Sequence, residues 1–160
     1  MDLTRFDKVD DYSILDSPKT NAERLDTLFS VFDDLPVLAL AINQQAQIAY
    51  LNPEGSGILN SGLEQCRGQC WLTSYIPSDQ RQELILVFEQ VINGNIEPFG
   101  TNTNDILTAD GSIIPFKWTN HLLKSQSGSI KGICCFGSDS RSPTNEVDRF
   151  VDLNFPASLK

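Results

Sequence analysis

Four cysteines and one histidine are the residues with which this chain could do covalent or metal chemistry. Cys66 and Cys70 are spaced C-x3-C, and Cys134 and Cys135 are adjacent. A zinc ribbon shows two C-x2-C pairs instead, so no metal site is expected. The start, MDLTRFDKVDDY, has an acidic mix where a secretion signal would be basic and then apolar. Without such a signal a disulfide framework is not expected, and the thiols read as small buried residues or free groups. Thiol redox or metal sensing through either cysteine pair is the third-ranked alternative. His121 would have to approach Cys70 or Cys134 to form a dyad, and it reads as a solvent-facing strand residue. Asp79, Glu83, Asp105 and Asp110 fall at helix starts or hairpin turns, where carboxylates have structural work. There is no G-x-S-x-G, phosphate loop or H-E-x-x-H, so the chain is not expected to be an enzyme.

Elements must be found to position these groups. The 160 residues suit one domain with tails, and the net charge of −9 argues against nucleic acid or an anionic membrane as partner. No apolar run approaches the roughly 20 residues of a membrane span, and a cytoplasmic location is expected.

Residues 1–19 are polar and without period, and read as a flexible N-terminal arm. Residues 20–35 read as a flanking helix: Thr20 and Glu23 form a capping box, Leu25, Leu28, Phe29 and Phe32 recur at helical spacing, and Pro36 ends it. That stripe serves equally to pack on its own domain or to pair with a second copy. The domain body spans 36–140, and 141–160 read as a C-terminal tail or the start of a linker.

Val37 to Ile42 and Ile48 to Leu51 read as a hairpin of two strands. Asn52 then reads as a helix N-cap and Pro53 as the first helical residue. Gly55 and Gly57 weaken that short helix, which suggests a deformable wall. A longer helix follows from Asp79 to Asn93, capped by Ser78 or Asp79, striped by Leu84, Phe88 and Val91, and stopped at Asn93-Gly94. The last third changes period. Phe99 to Thr108, Ser112 to Lys124 and Ser129 to Phe136 are strand candidates, separated by turn signals at Asp110-Gly111 and Ser127-Gly128. The fold class expected is α+β, a five-stranded antiparallel sheet with helices on one face and an N-terminal flanking helix.

From about Leu28 to Ser140 this order resembles a Per-Arnt-Sim (PAS) domain. DDLPVLALAI is similar to the family's "lP-gi-v-d" start, and Asn52-Pro53-Glu54-Gly55 to its "N-p-A" step. Gly68-Gln69-Cys70-Trp71 resembles "G-k-n-w/f", Ile76-Pro77-Ser78-Asp79 resembles "i-h-P-e-D", and Asp110-Gly111-Ser112 resembles "k-D-G-s". Gly132-Ile133, with Phe136 to Asp139, resembles the family's closing "G-i-v-g-i-x-x-D-i-t".

The resemblance implies a sensory module with a small cavity between sheet and helices. Candidate residues for that cavity are Leu40, Ile42, Tyr50, Asn52 and Leu84, with Phe88, Asn104, Trp118, Thr119 and Cys134. Adjacent strand residues point to opposite faces, so at most one of Cys134 and Cys135 can face it. A small organic ligand suits this set. Neither haem nor a photoreactive flavin is expected: the long helix lacks a histidine, and the flavin run G-x-N-C-R-F-L-Q is replaced by Gly68-Gln69-Cys70-Trp71-Leu72. Apolar residues such as Phe116 and Phe136 take the places of the ring-reading amides. A homodimer is expected, with Leu25, Leu28, Phe29 and Phe32 as interface candidates. In a longer protein a histidine kinase or diguanylate cyclase would follow as output domain. The alternative is a ligand-free PAS module used for dimerisation or protein–protein interaction.

Overall fold

The structure is a computed structural model, and it describes residues 29–95 and 102–142. Strands β1 (Leu38–Asn43) and β2 (Ile48–Leu51) form the first hairpin. Four helices follow: α1 (Pro53–Leu59), α2 (Leu63–Cys66), α3 (Trp71–Ser74) and α4 (Ser78–Ile92). Strands β3 (Asn102–Leu107), β4 (Ile113–Lys124) and β5 (Ile130–Asp139) then form a meander. All pairings are antiparallel, in the order β2-β1-β5-β4-β3. β1 therefore sits at the centre, bonded on one side to its sequence neighbour and on the other to the last strand, Leu38 opposite Gly137 and Asn43 opposite Gly132.

Every residue of β1 and β2 is buried, because both faces of this part of the sheet are covered. The inner face carries α1 to α4 and the larger apolar cluster, with Leu40, Ile42, Ile48, Leu59, Trp71, Ile106, Phe116 and Trp118. The outer face carries a second cluster of Phe29, Phe32, Ala39, Ala41, Tyr50, Cys134 and Phe136. Phe29 stacks on Tyr50 at 5.0 Å, and Phe32 meets Phe136 edge-on at 5.4 Å. The Tyr50 hydroxyl donates to Asp33 Oδ1 at 2.7 Å, giving the ring's polar end a partner.

Both turn signals of the meander are turns, with Gly111 and Gly128 at φ 86° and 87°. The largest change in strand bounds is at β5, which runs three residues beyond Phe136, to Asp139; β3 ends at Leu107, and β4 and β5 begin one residue later than expected, at Ile113 and Ile130. Residues 99–101 of the first strand candidate lie outside the described residues, as do the arm 1–19, Leu25, Leu28 and most of the tail.

Two local expectations are corrected. Neither Ser78 nor Asp79 caps α4, which starts directly after Pro77 without a side-chain cap; Asp79 sits in its first turn instead. Gly55 does not mark a soft helix. A Cβ there would lie 2.5 Å from Leu51 Cδ1 and 3.0 Å from Leu38 Cγ, so the glycine lets α1 lie hard against β1.

The interface expectation changes as well. Of the predicted 20–35 helix, the described part holds Phe29 as helix and Ser30–Phe32 as a 3-10 turn, and residues 20–28 lie outside the described residues. Phe29 and Phe32 are 1 % and 2 % exposed, buried against their own sheet, and are not available to a second copy.

Candidate functional site

The inner face is not fully packed. Between α3, α4 and the strands lies a cavity of about 300 Å³. Its floor is Ile42 of β1, Ile133 and Cys135 of β5, Trp118 and Asn120 of β4, and Asn102 and Asn104 of β3. Its roof is Leu84, Val87, Phe88 and Val91 of α4, with Trp71 and Leu72 of α3. The α4 stripe anticipated from spacing thus forms a wall: Leu84 and Phe88 are only half-buried, while Val91 is buried.

The placement of these groups follows from local chemistry. In the β1–β2 turn, Asn43 Oδ1 accepts from the N–H groups of Gln45 and Gln47, both at 2.9 Å. The turn's Ala46 carbonyl then accepts from Trp71 N–H at 2.8 Å, fixing the start of α3. Trp71 stacks on Tyr75 at 5.5 Å and meets Trp118 edge-on at 5.7 Å, which joins roof to floor. At the other end, Gln80 donates to Asp105 Oδ2 at 2.7 Å and accepts from Asp105 N–H at 2.8 Å, tying α4 to β3. Asn120 donates to Asn102 Oδ1 at 3.0 Å, so the polar wall on β3 and β4 is partly self-bonded. A second concavity of about 450 Å³ adjoins the first and shares Glu83, Leu84, Thr103 and Asn104 with it.

Of the cavity candidates, Ile42, Leu84, Phe88, Asn104 and Trp118 line it. Leu40 is in the inner cluster but wholly covered. Asn52 is also fully buried and caps α1, accepting from Gly55 N–H and Ala39 N–H, both at 2.9 Å. Its amide nitrogen donates to Val37 O at 2.8 Å and Phe32 O at 3.1 Å. All four bonds go to backbone, leaving no group for the cavity.

Tyr50, Thr119 and Cys134 are corrections. Tyr50 and Cys134 belong to the outer cluster, and Thr119 is paired with Phe136, which faces outward. Cross-strand partners share a face, so all three point away from the cavity. Cys135 is the thiol that lines it. Phe136 likewise cannot stand where a ring-reading amide would; of the two phenylalanines only Phe116 is on the inner side. The lining residues missed include Trp71, Leu72, Glu83, Val87, Asn102, Thr103, Asn120 and Ile133, and some had a signal: Asn120 and Asn102 share the alternation of Trp118 and Asn104.

The three buried thiols are poor nucleophiles. Burial pushes Cys66 up to about 11 and Cys134 up to about 12, and raises Cys135 well above its ordinary value, the neighbouring Cys134 adding to the last. Cys70 is partly exposed. Among the described residues no group of three or more histidine, cysteine or carboxylate side chains could hold a metal ion, and no helix is long and apolar enough to cross a membrane. His121 lies on the outer face, paired with Cys134 and with its ring 6.2 Å from Phe136.

A family model described as the PAS fold matches residues 32–142. Among solved structures, a PAS domain from Colwellia psychrerythraea is 19 % identical with a TM-score of 0.57, covering 72 % of this chain and 96 % of that one. The PAS domain of the Cronobacter turicensis RpfR quorum-sensing receptor, in complex with BDSF, is 12 % identical with a TM-score of 0.57, covering 67 % and 96 %. A PAS domain from a two-component sensor histidine kinase is 13 % identical with a TM-score of 0.56, covering 74 % and 98 %. No curated protein sequence matches the chain.

Proposed function

The chain belongs to the PAS-fold family, and from that premise we propose that it is a sensory domain that takes a small organic molecule into the cavity between α4 and the sheet. The carrying observation is the cavity itself: about 300 Å³, at the lower end of ligand-pocket sizes, walled mainly by aromatic and aliphatic side chains, with its polar groups on β3, β4 and Glu83 of α4. In the Cronobacter turicensis relative the complex is with BDSF, and another relative belongs to a sensor histidine kinase. These likenesses support a ligand-responsive role and hand-off to an output domain or a second copy. A dimer built on this reading uses surfaces other than Phe29 and Phe32.

Neither haem nor a photoreactive flavin is part of the reading, and the purified protein is expected to be colourless. The placement of His121, the chain's one histidine, on the outer face supports this.

Filling the cavity tests the proposal. Small molecules extracted from the purified protein, or a library of small organic compounds, should raise the melting temperature of the natural chain. Leu84→Trp, which pushes a large side chain into the cavity from α4, should keep the fold by circular dichroism and lose that response. A response that survives the filled cavity would place binding elsewhere, and a protein indifferent to every compound would favour the ligand-free interaction module.

A further inference from the structure

Trp118 is 3 % exposed and lines the cavity, yet its indole Nε1–H has no hydrogen-bond partner among the described residues. Its orientation is set from behind. Gly137 stands opposite Trp118 on β5, and a Cβ there would lie 2.6 Å from both Cε3 and Cζ3. The benzene edge of the indole therefore rests on the bare backbone of Gly137, and the edge carrying Nε1–H lies on the side away from that contact. A buried donor left unmade is costly, and an oxygen brought by a ligand removes the cost.

The charges around the cavity say what kind of oxygen. Among the described residues no Lys or Arg lines the cavity or the concavity beside it, whereas Glu83 lines both and Asp105 lines the second. A carboxylate ligand would find no cation to pair with and two carboxylates near its path, in a chain of net charge −9. A neutral carbonyl or hydroxyl needs only a donor. At about 30 Å³ per water-sized group, 300 Å³ holds about ten non-hydrogen atoms. Resting on the ligand-binding reading above, we propose that the cavity selects an uncharged, mainly apolar molecule of about that size, carrying one acceptor oxygen that bonds to Trp118 Nε1–H.

Three probes of ten non-hydrogen atoms separate the possibilities: 2-nonanone, butylbenzene and octanoate. 2-Nonanone should bind about fivefold or more tighter than butylbenzene, the worth of one neutral hydrogen bond, and tighter than octanoate at pH 7. With two tryptophans in the chain, the indole N–H region of the proton spectrum holds two signals, and one should move downfield with 2-nonanone but not with butylbenzene. Trp118→Phe should abolish the preference for 2-nonanone over butylbenzene, whatever it does to the affinity of both; should that variant not fold, the indole signal of the natural chain decides alone. Equal binding of ketone and hydrocarbon, tightest binding of octanoate, or an indole signal unmoved by bound ketone would each overturn the acceptor inference and leave the cavity reading standing. If none of the three binds, both fall.

Discussion

The two faces of the same sheet are built to different tolerances. On the outer face, Phe29, Phe32, Tyr50 and Phe136 interlock at ring distances of 5.0 to 6.3 Å, and each is at most 3 % exposed. On the inner face, larger and more numerous side chains leave a cavity, and the helix above it offers Leu84 and Phe88 only half-buried. The contrast shows where this sheet can accept change: the outer cluster is closed on itself, and the inner one leaves open space.

Truncation should expose the difference most sharply. Phe136→Ala, in the close-packed cluster, is expected to cost about 3–5 kcal/mol in urea unfolding, because nothing beside it can collapse into the gap. Phe88→Ala on the cavity wall should cost about 1–2 kcal/mol, since part of that side chain faces water or open space already. Equal costs would mean that the two faces are packed alike. Between them stands Asn52→Ala, expected to cost about 2–4 kcal/mol, because it removes a cap and leaves buried N–H and C=O groups of both faces unpaired. Asn52→Asp should be no milder: its oxygens would still accept from Ala39 and Gly55, but one would also confront the carbonyls of Phe32 and Val37.

The smallest expected effect is a pH dependence. Unfolded thiols ionise near about 8.5, whereas burial keeps Cys66 protonated to about 11 and Cys134 to about 12. Above the unfolded value the native state holds protons that the unfolded chain has released. Stability from this source is therefore complete below about pH 8 and declines as pH rises through 9 to 11. Urea midpoints at pH 7.5 and 10 should differ in that direction, and Cys134→Ala should reduce the difference. A midpoint that is level, or rises, across that range would show that the outer thiol is not sealed.

The same doubly covered sheet explains what sequence could and could not say. Breakers and caps act locally, so Asn52-Pro53, Asp110-Gly111 and Ser127-Gly128 marked a helix start and two turns where the structure has them. Facing is a different matter. VLALAI and IAYL are apolar on both sides, so no alternation tells Tyr50 from its neighbours, and its assignment to the cavity was a choice between two apolar surfaces. In β4, by contrast, Trp118 and Asn120 alternate with Lys117 and His121, and the inner set is readable once Trp118 is placed. The pairing of β1 with β5 was not legible at all. It joins residues about ninety apart, and nothing in either strand names the other.

Asn52 has one more consequence, which concerns time and not packing. Asparagine ages by attack of the next residue's backbone nitrogen on the side-chain amide, a ring closure that requires an N–H at that nitrogen. Pro53 has none. The amide that joins the Phe32 turn, β1 and α1 is thus followed by the one residue that blocks its slow conversion to aspartate. Exposed Asn93, followed by Gly94, has no such protection. In a stored sample the new negative charge should arise first at the end of α4, while the joint between the two faces stays chemically as it was made.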